Sequence, residues 1–569
     1  MRLLSSRWYI GAALLLAAAA LVTLAACTGG DGGPVSGDLA EDQTLRIALD
    51  GEPDNIDPSL ADFATAVTVS KNLFATLLRF DPITGEAAPY VATEVPSSEN
   101  GGISDDGLTY TFNLREDAVW EDGQPITAHD FVYAIQRLMD PRLASYYGTT
   151  YYTEIIEGGV DLAFTEDVGE AAIEQLRASV KVKAGDDRTL EVTITRPSTT
   201  FNLLMALWPT AALRQDVIEQ YGDITNTTWT EAGNLVASGP FRLAEWNHGS
   251  SIVLERNPNF WDAEMEPVLD RVVFQIIEDE NTAFAAYLAG DLDAVPVPVS
   301  DLRSIADDES YTNELRRVPL AVTFAFEFNQ TRPPFDQQGA RQAFCQSVDR
   351  QTLVNEVQQG QGVPTTSWLP EGLAPFFIDD RGQNLSFDPN SAVKLVLDAT
   401  SGGVAYPSVT FSFANVGPNS TRAEFLQGQW SENLGIDVTL DPMDPPAFGE
   451  AFGTGNFDMA LIGFGQDYHH PENWLLMWIT DGGLNAGGYS NPEFDATVDE
   501  ALNETDRDKA VALWQEAERI LLDEDAALCP LFSAENTWLV KPYVSDFIMT
   551  GADGQPGDYF YWKTTILDH

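Results

Sequence analysis

The side chains best suited to chemistry lie close together in the stretch 461–474, which reads LIGFGQDYHHPENW. A carboxylate and a phenol, Asp467 and Tyr468, follow a short apolar run that is typical of a buried strand. An acid and aromatic side chains just past the end of a strand are a frequent composition of ligand-binding loops. Asp467 is equally suited to cap the next helix from a surface turn, so the stretch alone does not decide between the two roles.

Two histidines, His469 and His470, follow directly in the same stretch. A protein zinc site needs three or four ligands, and no third ligand with suitable spacing is nearby, so the sequence favours a loop in contact with water and ligand over a metal or haem site. The chain contains neither HExxH nor GxSxG. A secreted hydrolase is therefore disfavoured, although a catalytic carboxylate pair is not recognisable from sequence.

Helices and strands are predicted in mixed order along the whole chain, and they must position this stretch. Alternation predicts a strand over 44–49, and apolar spacing predicts helices over 67–78 and 340–354. A helix-strand-helix-strand series between 391 and 440 leads into the apolar run before Asp467. With 569 residues the chain is expected to form two to four domains.

The first residues have the composition of an export signal. Arg2 and Arg7 flank the start of an apolar run over 8–26 that ends in Leu-Ala-Ala before Cys27. This tetrad resembles a bacterial lipobox, and the resemblance implies cleavage before Cys27 and a lipid on its thiol. Residues 27–43 are rich in Gly and Asp and are predicted to be a flexible linker. A plain transmembrane anchor is the rival interpretation of the apolar run.

Cys345 and Cys529 are the two cysteines that follow Cys27. One pair of cysteines in an exported chain is suited to a disulfide, but two buried free thiols are an equal alternative. The sequence leaves this choice open.

The charge is strongly unbalanced, with 31 basic and 87 acidic residues and a formal net charge of -56. Nucleic acid and anionic lipid surfaces are unsuitable partners for such a negative field. The acids are scattered along the chain, which is typical of a solvated surface. We interpret their number as an adaptation to a saline habitat, where salt screens the repulsion between them.

Several short motifs together resemble the extracellular solute-binding proteins of peptide-type ABC importers, the family of oligopeptide- and dipeptide-binding proteins. Each motif is weak alone, but they occur in the family's order from about residue 44 to the C-terminus. They are LTYTFNLR at 108–115, WEDGQPITAHD at 120–130, SGPF at 238–241, NPNFW at 257–261, GDLD at 290–293 and GYSNPEFD at 488–495.

The resemblance implies an α/β, two-lobed periplasmic-binding-protein-like fold, the large three-domain variant of type II, with a hinge and a ligand cleft between the lobes. The first lobe would contain domain I (44–70, 208–300 and 532–569) and domain II (71–207). Domain III (301–531) would form the second lobe. Such lobes close on a ligand and deliver it to a membrane permease.

The resemblance also implies the roles of the site residues. The acid of the loop pairs with the amine of a bound peptide, and the glycines lie in a strand to which the peptide adds. An aromatic wall and a tyrosine from the opposite lobe complete the contacts. The implied ligand-binding residues are Asp467, Gly463, Phe464, Gly465, Tyr147 and Tyr468.

The sequence departs from the family at two positions. Certain oligopeptide binders carry arginines suited to the peptide carboxylate where this chain has Phe452 and Leu461. Peptide length therefore stays open, and an oligosaccharide, a nickel chelate or haem stays an alternative ligand for the same fold. A sensory receptor that does not transport is a further alternative.

The resemblance implies no enzymatic activity and no cofactor. The expected partners are a peptide, the subunits of an ABC permease, and the membrane through the lipid anchor. We expect an exported monomer on the outer face of the cytoplasmic membrane, in the periplasm or cell envelope.

The charge leads to a first prediction. If the acidic surface is adapted to salt, the melting temperature of the soluble part should rise between low and molar salt, because the Debye length falls from about 30 Å at 0.01 M to about 3 Å at 1 M. Thermal unfolding at constant pH measures this change. A melting temperature that does not respond to salt would contradict the saline interpretation.

Overall fold

The computed structural model describes residues 37–569 except 166–168, 223, 226, 374, 380, 400–407 and 505. The predicted signal peptide (1–26) and the lipidation site Cys27 lie outside the described residues. The end of the predicted linker is described, and it is not a free tether. The Gln43 amide donates to the Ile566 carbonyl at 2.8 Å and accepts from its N–H at 3.0 Å, so it ties the start of the fold to the C-terminal residues.

The strands are β1 (Thr44–Leu49), β2 (Leu78–Asp81), β3 (Glu86–Pro89), β4 (Thr109–Asn113), β5 (Val182–Asp186), β6 (Thr189–Thr193), β7 (Phe241–Asn247), β8 (Ser251–Arg256), β9 (Arg271–Ile276), β10 (Ala294–Pro296), β11 (Leu315–Phe328), β12 (Val363–Pro364), β13 (Val409–Ala414), β14 (Val438–Met443), β15 (Met459–Gly465), β16 (Leu528–Val540), β17 (Val544–Ser545) and β18 (Thr565–Ile566).

The α-helices are α1 (Ala64–Leu73), α2 (Ala128–Leu138), α3 (Gly159–Ala163), α4 (Glu170–Ser179), α5 (Phe201–Leu204), α6 (Gln215–Tyr221), α7 (Glu280–Ala289), α8 (Leu302–Ala306), α9 (Gln338–Gln346), α10 (Arg350–Thr352), α11 (Pro389–Ala399), α12 (Asn419–Leu434), α13 (Pro445–Gly453), α14 (Pro471–Leu475), α15 (Pro492–Asn503) and α16 (Arg507–Arg519).

The predicted strand over 44–49 is confirmed as β1, whereas two predicted helices are wrong in their extent. The helix predicted over 67–78 ends at Leu73, because Phe74 is extended and Leu78 already begins a strand. The helix predicted over 340–354 is interrupted after Gln346. A continuous apolar run does not reveal such breaks, since buried helix and buried strand share the same composition.

One sheet of 11 strands extends through both lobes. Its order is β14-β13-β15-β11-β16-β10-β1-β9-β8-β7, and β12 pairs with β16 outside this path. The two long central strands, β11 and β16, are antiparallel and pair from Leu315 opposite Leu539 to Glu327 opposite Leu528. At one end they adjoin the strands of the first lobe and at the other end those of the second. The two lobes are therefore connected by paired strands.

The buried side chains separate into distinct cores. The largest, around Phe326 and Trp430, belongs to the second lobe, and the first lobe has one core around Phe112 and another around Phe274. A smaller core includes Leu302 and Ile305 together with residues of the first lobe, although the sequence placed both in domain III. The boundaries of the three domains remain a prediction.

Cys345 and Cys529 are free thiols buried in the core of the second lobe. The Arg350 guanidinium donates to the Cys529 sulfur at 3.1 Å, and burial raises the pKa of the Cys345 thiol. Of the two alternatives that the sequence left open, the structure has the pair of buried free thiols.

A buried ion pair joins α2 to the segment that follows β1. Arg137 and Asp57 are at most 1% exposed, and the guanidinium donates two parallel bonds to the carboxylate at 2.9 and 2.6 Å. Further bonds go to the Ser59 hydroxyl and the Ile224 carbonyl. This bidentate pair fixes α2 against the segment that follows β1.

Removing one partner of this pair should be costly. We expect Arg137→Met to lower the free energy of unfolding by about 3–5 kcal/mol, because Asp57 would stay buried without a counterion. The same change at the exposed pair Arg242–Glu255 should cost only about 0–1 kcal/mol. Urea unfolding followed by tryptophan fluorescence compares the two variants, and equal losses would contradict the prediction.

Candidate ligand-binding cleft

Strand β15 presents an open edge. On one side it pairs with β11 along its whole length, from Phe328 opposite Met459 to Val322 opposite Gly465. On the other side β13 pairs only with Met459 and Ala460. Over the described part of the chain, no strand covers this second edge between Leu461 and Gly465. Its outward N–H and C=O groups are therefore available to another strand.

Steric crowding explains why β15 has glycine at positions 463 and 465. A Cβ atom on Gly463 would lie 2.7 Å from the Phe324 ring of β11, and one on Gly465 would lie 3.2 Å from Val322. Both glycines are exposed, and Phe464 between them is partly buried against Trp474. A side chain at Gly463 would displace Phe324, which also lines the cleft.

Asp467 lies just beyond β15 and meets the opposite lobe. The Tyr147 hydroxyl donates to Oδ1 at 2.8 Å, and the Tyr151 hydroxyl donates to Oδ2. Asn473 orients the acid, because its side-chain oxygen accepts the Asp467 N–H at 2.7 Å and its amide donates to the Tyr151 oxygen at 3.0 Å. The two lobes are thus in contact through this carboxylate.

The side chain of Asp467 is partly buried, and it accepts hydrogen bonds instead of forming an ion pair. No Lys, Arg or His of the described chain forms an ion pair with it. Burial raises the pKa of Asp467, while the hydrogen bonds from Tyr151, Tyr147 and Asn473 act in the opposite direction. Burial, and after it the charge of Asp467 and its hydrogen bonds, raise the pKa of both tyrosines, so they stay protonated donors. A negative charge held in this way is suited to a cation from a ligand.

Two cavities adjoin the open edge, and both have walls from both lobes. The acidic cavity, of about 570 Å³, is lined by Gly465, Asp467 and Tyr147 and by five further acids with a single Lys71. These acids are Asp50, Asp62, Glu278, Glu280 and Asp553. The apolar cavity, of about 720 Å³, is lined by Gly463 and Phe464. The strand edge therefore runs from an acidic space into an apolar one.

Tyr468 differs from the other predicted site residues. It is 3% exposed, packs edge-on against Tyr151 and belongs to a core of the first lobe, so it lines neither cavity. Near it, the buried Glu472 accepts from the Thr200 hydroxyl at 2.6 Å. Tyr468 thus anchors the loop of the second lobe to the first, since its ring finds an apolar surface there.

The two histidines are partly buried against other side chains of the protein. The sequence had favoured a loop in contact with water and ligand. His470 packs between the rings of Phe376 and Trp514, and its Nδ1 accepts the Glu472 N–H at 3.2 Å at the start of α14. Burial lowers the pKa of His470 to about 3. His469 lies against the turn at Gly85 and is also buried enough that its pKa is lowered. This prediction was wrong because both rings pack against the protein. His470 in addition caps α14.

Sequence reasoning missed Tyr151 and Asn473 as parts of the site. The resemblance implies a role for Tyr147 alone among the four tyrosines of the segment 146–152. The spacing of Tyr147 and Tyr151 could have indicated that both belong to the site, because residues four apart in a helical turn share a face. Asn473 carried no such signal, since its role depends on how the loop folds back.

Comparison with known proteins gives the family of this chain. The family model described as "Bacterial extracellular solute-binding proteins, family 5 Middle" matches residues 86–486. The chain belongs to this family of extracellular solute-binding proteins, and the resemblance inferred from its motifs is confirmed.

Particular relatives are similar over almost the whole chain. The periplasmic oligopeptide-binding protein OppA of Salmonella typhimurium is 30% identical over 555 residues, covering 96% of both chains. The probable deoxycholate-binding periplasmic protein YgiS of Escherichia coli is 30% identical over 94% of this chain and 95% of its own. The structure of Listeria monocytogenes OppA bound to peptide has a TM-score of 0.73 at 25% identity, covering 93% of this chain and all of that one. These likenesses confirm the two-lobed fold.

Two kinds of feature are absent from the described residues. None of the helices found there is long and apolar enough to cross a membrane. Within the same residues, no group of three or more His, Cys, Asp or Glu side chains is arranged to hold a metal ion.

The buried histidine leads to a pH prediction. The folded pKa of His470, about 3, is below its unfolded value of about 6.5. The unfolded state therefore binds the extra proton, and stability is lost as pH falls below about 6.5, by up to about 1.4 kcal/mol per pH unit. We expect His470→Asn, which keeps a capping side chain, to reduce this loss, whereas His129→Asn on the surface should not. Urea unfolding at pH 7 and 5 tests this, and identical pH slopes would refute it.

Proposed function

We propose that this protein is the peptide-binding component of an ABC importer. The open edge of β15 in the interlobe cleft carries the proposal. An extended peptide could pair its main chain with this edge, which supplies affinity without reading the side chains. The peptide-bound relative and the oligopeptide-binding relatives support the same ligand class.

Asp467 would bind the amine at the start of the peptide. The carboxylate lies immediately beyond the open edge and lines the acidic cavity. It already accepts tyrosine donors, yet a carboxylate has about four acceptor positions, so an ammonium can bind beside them. A charge-assisted hydrogen bond in this buried place contributes about 1.5–3 kcal/mol.

Other ligands fit these features less well. Deoxycholate, named for one relative, has neither an amine for Asp467 nor a main chain for the strand edge. An oligosaccharide or a metal chelate would also leave the edge of β15 unpaired. We therefore retain peptide as the ligand, with Asp467, Gly463, Phe464, Gly465 and Tyr147 as its contacts.

The proposed cellular role follows from the family. The protein would be exported, anchored by a lipid on Cys27 and act as a monomer on the outer face of the cytoplasmic membrane. Closure of the lobes would enclose the peptide, and the closed form would deliver it to the permease. The protein would bind and release its ligand unchanged, without a cofactor or enzymatic step.

The amine contact can be tested with a double comparison. Acetylating the N-terminus of a tetrapeptide should weaken its binding to the wild type about 10- to 100-fold, because the ammonium is lost. With Asp467→Asn the free peptide should bind as weakly as the acetylated one. Isothermal titration calorimetry gives both affinities, with Asp499→Asn on the surface as a matched loss of charge. Equal binding of free and acetylated peptide to the wild type would contradict the role of Asp467.

A further inference from the structure

The loop 467–473 of the second lobe contacts the first lobe through more than its proposed ligand-binding acid. The Tyr468 ring is 3% exposed and belongs to a core of the first lobe. The His469 ring lies against the turn at Gly85, and its centre is 6.5 Å from that of the Phe80 ring. Two successive side chains of the loop are therefore packed against the opposite lobe.

Glu472 is the third side chain of this loop that contacts the first lobe. It is 4% exposed, and its Oε2 accepts from the Thr200 hydroxyl at 2.6 Å. The Arg196 guanidinium lies 3.6 Å from Oε1. Burial raises the pKa of Glu472, while Thr200 and Arg196 act in the opposite direction. His470 of the same loop supplies no charge at neutral pH, because burial lowers its pKa to about 3. The compensation for this buried carboxylate therefore comes from the first lobe.

The remaining side chains fix the loop to the second lobe. His470 packs between Phe376 and Trp514 and caps α14. Trp474 is buried in the core of the second lobe, and its carbonyl accepts from the Trp368 indole at 3.1 Å. The loop is therefore part of the second lobe, and it loses its contacts with the first lobe when the two lobes separate.

We propose that the loop 467–473 is an interlobe latch, in which Glu472 keeps the cleft closed through Thr200 and Arg196. This role rests on the proposed function, because it acts on the closed form that encloses the ligand. None of these three side chains lines either cavity of the cleft. The latch therefore controls how long a peptide stays bound, independently of the peptide's own side chains.

The physical basis of the latch is the exchange of partners around one carboxylate. Closure removes Glu472 from water, which is costly unless other groups compensate. The Thr200 hydroxyl and the Arg196 guanidinium compensate in the closed form, and water does so in the open form. Since the apparent affinity for a ligand scales with the population of the form that holds it, a weaker latch gives weaker binding.

Thr200→Val tests the latch, because valine has the shape of threonine and lacks its donor. We expect the Kd of a tetrapeptide to rise about 10- to 100-fold, since Glu472 loses a hydrogen bond in the closed form. Stopped-flow kinetics should place most of this change in the dissociation rate constant. The N-acetylated tetrapeptide should lose affinity by the same factor, because closure is changed and the amine contact is not. Arg196→Gln, at a more exposed site, should have a smaller effect in the same direction.

Thr230→Val is the matched control. Thr230 is also buried in the first lobe, at 2% exposure, but its hydroxyl donates at 2.7 Å to the Thr227 carbonyl of its own segment. This variant should keep the wild-type Kd and dissociation rate constant. Urea unfolding of both valine variants separates a general loss of stability from a change in closure.

Hydrogen–deuterium exchange of the wild type tests the latch without any variant. A saturating tetrapeptide should slow amide exchange in the loop and in the segment 194–204, which lines neither cavity, because closure brings the two together. Unchanged exchange in that segment would overturn the latch and leave the proposed function intact.

The affinities have equally definite consequences. An unchanged Kd in Thr200→Val would overturn the latch, and so would a loss of affinity confined to the peptide with a free amine. An equal loss in Thr230→Val would assign both hydroxyls to general stability and would also overturn it. Failure of every peptide to bind the wild type would overturn the proposed function together with the latch.

Discussion

Backbone hydrogen bonding is the constraint on which this molecule depends. Strand groups removed from water must find partners, and along the second edge of β15, from Leu461 to Gly465, no strand of the described chain supplies them. An unpaired edge inside a cleft is protected from other copies of the chain, unlike one on a free surface. The sheet therefore leaves a place inside the cleft where an extended ligand can complete it.

The two central strands explain how such an edge can be both held and enclosed. Because β11 and β16 extend through both lobes, the edge of β15 is attached to a continuous sheet. The loop at 467–473 then contacts the opposite lobe through Tyr147, Tyr151 and Thr200. Hydrogen bonds to two acids, Asp467 and Glu472, make much of this contact, and such bonds can exchange with ligand and water more easily than a large apolar interface.

Electrostatics give the cleft a direction. The acidic cavity and Asp467 favour a cation at one end of β15, and the other end borders the apolar cavity. In a chain of net charge -56 an acidic cavity is ordinary, whereas a carboxylate without an ion-pair partner in the described protein is suited to a cation from a ligand.

The family and the mixed α/β fold were accessible from the sequence, because motifs and apolar periodicity are local properties. The tertiary structure alone decided which side chains meet. Tyr468 and His470 look like site residues beside Asp467, yet packing turns them into the interior. Tyr151 joins the site from a distant position in the chain, whereas Asn473 joins it because the loop after Asp467 folds back. Whether a charge is paired depends on residues far away along the chain, and only the folded structure brings them together.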